Sequence, residues 1–119
     1  MKNKLGIVLS ISLSVVSLDA SSASLFDVPL AKKCYAVYQK LAQITQAQTT
    51  ERCKYQLDLA TNYTESASLK IVKDDVASST YLLEQAILPL RYAQLFSCIN
   101  EDEIVEAEKE LLDIKLQLK

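Results

Sequence analysis

The sequence predicts an all-α protein, a small up–down four-helix bundle behind a cleaved leader. Three observations predict it. Beyond residue 23 there is no glycine, and only Pro29 and Pro89 interrupt the chain. Sheet proteins need Gly, Asn and Asp in tight turns, whereas Ala, Leu, Gln, Glu and Lys favour helix. Apolar residues recur at alternating steps of three and four through most of the chain, which places them on one side of a helix. Three changes of phase or turn signals then divide the chain into four helices, at about 29–47, 50–72, 75–99 and 101–118.

The leader is read from its layout. MKNK is basic, Leu5 to Leu18 is apolar, and Ser21 and Ala23 are small residues placed for a cut after Ala23. That is the order of a secretory signal peptide, and the apolar run is short for a membrane span. The competing reading is an uncleaved anchor. No Cys follows the cut, so no lipid-modified terminus is expected. Residues 24–119 then form a single domain, enough chain for one core. Removing Lys2, Lys4 and Asp19 takes the 13 bases and 15 acids to 11 and 14, a net charge of −3. That sign argues against nucleic acid or an anionic membrane as partner.

Asp27 and Pro29 suit the start of the first helix, whose stripe is Leu30, Cys34, Val37, Leu41 and Ile44. The stripe loses step after Ile44, and a second begins at Cys53: Leu57, Ala60, Thr64, Ala67 and Ile71. Thr49 or Thr50 is the expected cap between them. A single continuous helix is the alternative, since no Gly or Pro forces the turn. The Asn62-Tyr63-Thr64 sequon is discounted, because the short basic start has bacterial character.

Asp74 or Asp75 opens the third helix. Its stretch Tyr81 to Ile99 is apolar nearly all the way round: Leu82, Leu83, Ile87, Leu88, Leu90, Leu95 and Phe96 cannot share one stripe. A helix apolar on all sides is expected to be enclosed by its neighbours, so this one is read as the centre of the bundle. Pro89 cannot donate to the Gln85 carbonyl, so a kink or a restart is expected there. The fourth helix opens on Glu101, Asp102 and Glu103 and closes near Lys115 and Lys119, which suits its dipole. Ile104, Ala107, Leu111, Ile114 and Leu118 make its stripe. Val105, Leu112 and Leu116 run beside it.

The chain has no histidine. Ser–His and Cys–His nucleophile pairs, the HExxH zinc site and the ExxH di-iron site are therefore absent. No glycine-rich phosphate loop exists. Glu103, Glu106 and Glu110 lie near one helix face, which reads as a solvated acidic surface before it reads as a metal site. Glu84 and Arg91, seven residues apart, could pair at the bundle rim. No enzyme, cofactor or metal is expected; an enzyme working with carboxylates alone ranks last.

Three cysteines in an oxidising compartment should pair where geometry permits, leaving one over. In an up–down bundle Cys53, just past the start of the second helix, and Cys98, near the end of the third, share a layer. At ~1.5 Å per residue, Cys34 sits roughly 15 Å from that layer, beyond the ~7 Å that a bridge tolerates. A Cys53–Cys98 bridge and a buried free thiol at Cys34 follow.

The functional expectation is a secreted or periplasmic, non-catalytic protein-interaction module. A small-ligand carrier, with a cavity between the second and third helices, is the alternative. From Asn100 onward seven acids face three bases, so the fourth helix holds −4. Its edge residues Val105, Leu112 and Leu116, with Glu108 on the rim, could receive a partner helix or a second copy. The competing reading buries that edge in the chain's own core.

Overall fold

A computed structural model describes residues 28–119. The leader, residues 1–23, and the capping role expected of Asp27 lie outside the described residues. The described residues form four helices: α1 (Pro29–Gln46), α2 (Glu51–Val72), α3 (Val76–Leu95) and α4 (Glu101–Gln117). Each helix packs on two neighbours, in the ring α1–α2–α3–α4–α1, with no close backbone approach across the diagonals among the described residues. Short turns join sequential neighbours, so the bundle runs up–down–up–down.

The core is one layer of stripes. Cys34, Val37, Leu41 and Ile44 meet Leu57, Ala60, Ala67 and Ile71, with Leu83, Ile87 and Leu90 from α3 and Ile104, Leu111 and Ile114 from α4. Buried hydroxyls on α2 return bonds to their own helix: Thr61 Oγ1 donates to the Leu57 carbonyl at 2.6 Å, Thr64 Oγ1 to Ala60 at 2.7 Å. Their polar cost is thereby met, and α2 can lie close to its neighbours.

The turns explain the helix ends. Thr50 caps α2, accepting from the Cys53 N–H at 3.4 Å. At its other end Asp74 takes the left-handed conformation (φ 59°). Asp75 N–H then reaches the Lys70 carbonyl and Asp74 N–H the Ile71 carbonyl, the 6→1 and 5→2 bonds of a Schellman motif. Asp75 also caps α3, its carboxylate accepting from the Ser78 N–H at 3.0 Å. One residue thus ends one helix and starts the next.

Two expectations for the third helix need correction. It ends at Leu95, not Ile99, because Ser97 is left-handed (φ 55°) and leads Cys98 out of the helix. Nor is it enclosed. Leu83, Ala86, Ile87, Leu90 and Ala93 are buried, but Tyr81, Leu88, Tyr92 and Leu95 are exposed. A ring of four helices has no central position, so the apolar surplus of α3 faces outward. Pro89 sits inside the helix without breaking it.

Candidate functional site

One end of the bundle is covalently closed. Cys53 and Cys98 are bridged, with Cα atoms 5.7 Å apart. Beside them the buried side chain of Gln48 holds the α3–α4 turn by both backbone groups of Ile99. Its Nε2 donates to the Ile99 carbonyl and its Oε1 accepts from the Ile99 N–H, both at 2.9 Å. Nε2 also donates to the Ile44 carbonyl. Arg52 lies over the Phe96 ring, its guanidinium carbon 4.5 Å from the centroid, a cation–π contact. Gln48 escaped the sequence reading, because a lone glutamine in a turn carries no periodic signal.

Cys34 is a free, fully buried thiol on α1. Its Sγ donates to the Thr64 carbonyl at 3.5 Å, and burial pushes its pKa up to about 12. A protonated, enclosed thiol is a poor nucleophile and a poor metal ligand. No three His, Cys, Asp or Glu side chains converge among the described residues.

The fourth helix is tied to its neighbours by charge. Glu108 accepts from Arg91 Nε at 2.8 Å and from Gln94 Nε2 at 2.7 Å. Burial raises its pKa, but those two bonds and the Arg91 charge outweigh it and hold the carboxyl below its ordinary value. Lys115 pairs with Glu84 at 3.0 Å, and Lys33 with Asp113 at 3.2 Å. Glu84 and Arg91 therefore do not pair with each other; each reaches across to α4. Of the α4 residues singled out from sequence, Glu108 is held within the chain, Val105 is half-buried, and Leu112 packs partly against the core. Leu116 is 79% exposed.

The exposed apolar surface lies elsewhere. Eight large apolar side chains stand exposed among the described residues, and seven of them belong to α2, α3 or the turn after α3. Gln56, Leu59 and Tyr63 of α2 face Gln85, Leu88, Pro89 and Tyr92 of α3 across a shallow groove of about 150 Å³. No charged side chain lines it. Toward the α2–α3 turn the line continues through Tyr81, Leu82 and Lys70. The surplus of apolar residues on the third helix is the sequence signal for this surface; it lies outside the core rather than within it.

Comparison with known proteins returned no matching family model, no matching curated sequence and no matching solved structure.

Proposed function

We propose that the chain is an exported, non-catalytic module that binds another protein through the outer face of α2 and α3. The observation that carries this reading is the run of exposed Tyr81, Leu88 and Tyr92 along the α2–α3 groove and its continuation. Contiguous apolar surface of this kind marks interaction sites, and aromatic residues with few charges characterise the centre of interfaces. The rest of the surface offers less. Several charges of α4 are spent on α1 and α3, and among its large apolar residues only Leu116 is plainly exposed. The Cys53–Cys98 bridge supports an oxidising compartment, where such bonds persist. The apolar leader sequence supports the same route.

The carrier reading draws less support. The α2–α3 groove holds about 150 Å³, below the ~300–1,000 Å³ of ordinary ligand pockets; its continuation beside Tyr81 and Leu82, about 390 Å³, lies open on the surface and encloses nothing, and Ala60, Thr64 and Ala67 are fully buried.

Native mass spectrometry of the protein from its own source tests the reading. The oxidised protein should arrive with a protein partner. A Leu88→Glu/Tyr92→Glu variant should arrive alone with an unchanged melting temperature. Arrival of the wild type with a small molecule, or equal partner recovery by the variant, would overturn it.

A further inference from the structure

The charge pattern around the α2–α3 groove says what kind of partner fits. The groove itself is uncharged. On the α2 stripe of Gln56, Leu59 and Tyr63, the helical repeat puts Arg52 one turn before the groove and Lys70 two turns beyond it; Arg52 is spread on Phe96, and Lys70 lies beside Tyr81 and Leu82. Both belong to α2, eighteen residues apart, which is about 27 Å along the helix. The carboxylates of α2 and α3 lie off this stripe. Glu84 pairs with Lys115 on the α4 side, and Glu51 and Asp58 share a crevice with Lys54 on the α1 side. Asp75 feels the Lys70 charge, but its carboxylate is bonded to the Ser78 N–H. The groove floor has one further feature. Pro89 has no N–H, so the Gln85 carbonyl lacks its usual donor four residues on.

The backbone of the occupant follows from the walls. An extended segment needs a sheet edge to satisfy its N–H and C=O groups, and a cleft between two helices provides none. A helix satisfies its own backbone and sets a ridge of side chains into the cleft. A second copy docking face to face is disfavoured. A two-fold axis would bring Arg52 against Arg52 or Lys70 of the copy, like charge on like. The copy's acidic α4 lacks an exposed apolar row, having Leu116 alone.

Building on the reading of this face as an interaction surface, we propose that the α2–α3 groove receives an amphipathic helix of another protein. That helix spans about five turns, is apolar along one side, and carries Asp or Glu at both ends. The apolar ridge packs on Leu59, Leu88 and Tyr92, and the two acidic ends meet Arg52 and Lys70.

A displayed library of amphipathic helices of about 20 residues, with charge randomised in the first and last turns, tests this on the oxidised protein. Selection on the wild type should enrich acids at both ends, and selected peptides should weaken several-fold as salt rises from low to physiological strength. Selection on Arg52→Glu/Lys70→Glu should enrich bases instead, with peptides of either set displaced from Leu88→Glu. Indifference to end charge, the same enrichment on both proteins, or no selected helix at all would overturn the proposal. So would binding of anionic vesicles that the same charge reversal abolishes. If the helix proposal fails while the native partner is still lost from Leu88→Glu/Tyr92→Glu, the interaction reading stands and only the identity of the occupant is wrong.

Discussion

Gln48 and Cys34 are both buried, and one was visible in the sequence while the other was not. Cys34 stood in a stripe with Leu30, Val37 and Leu41, so periodicity located it. Gln48 sits past the last turn of α1, where only the fold brings Ile99 to it. Replacing Gln48 with Leu removes the partner of the partly buried Ile99 N–H and C=O, and should destabilise by about 1–2 kcal/mol; urea unfolding measures it, and a loss within 0.5 kcal/mol of zero, the range of a roughly neutral surface change, would show that the two bonds do not hold the turn. Cys34 carries a pH signature. Its folded pKa of about 12 lies above the ordinary 9.0. Below pH 9 both states keep the proton and the full contribution is present. Between 9 and about 12 only the unfolded state loses it, so stability falls by up to ~1.4 kcal/mol per pH unit. The stability difference between wild type and Cys34→Ala should therefore shrink as pH rises through that window. The subtraction cancels contributions common to both proteins.

The helices themselves were legible, and their ends were legible where caps are local. Thr50 and Asp75 cap as their residue types allow. The third helix was drawn four residues too long because nothing in Phe96-Ser97-Cys98 breaks a helix by propensity. There a left-handed Ser97 ends it, at a φ that costs a non-glycine residue roughly 1–2 kcal/mol. Ser97→Gly should raise stability by about 0.5–1 kcal/mol, the relief at positive φ less the added entropy of the unfolded glycine, as a higher urea midpoint. The fourth helix separates two residues that the sequence left together. Leu112 packs partly on the core while Leu116 is exposed. Leu112→Glu should lower the melting temperature clearly, by a loss of about 2 kcal/mol. Leu116→Glu should leave it unchanged within error. Equal effects from the two would show that α4 is not seated as the structure places it.

At the scale of the whole molecule, topology was legible because the Cys53–Cys98 layer is compatible with up–down packing and short turns. Which surface stays bare was not, since it depends on ring closure. The sequence shows that α3 has more apolar residues than one stripe needs, but only the placement of its two neighbours, α2 and α4, shows that the excess is left bare. The same closure joins two turns at one end of the bundle by two independent ties. The disulfide encloses a separation of 45 residues, which by loop entropy stabilises by about 4 kcal/mol. Gln48 holds Ile99, the residue after Cys98, from the α1–α2 turn. Each tie positions the other's partner, so their effects should not add. In a double-mutant cycle between Gln48→Leu and Cys53→Ala/Cys98→Ala, the Gln48 substitution should cost about 1 kcal/mol less without the disulfide. The physical reason is that an untethered α3–α4 turn can move Ile99 to water, where its N–H and C=O find other partners. Denaturant unfolding of the four proteins at one pH measures the coupling. Strict additivity would mean that the turn keeps its place without the bridge, and that the disulfide acts on the unfolded chain alone.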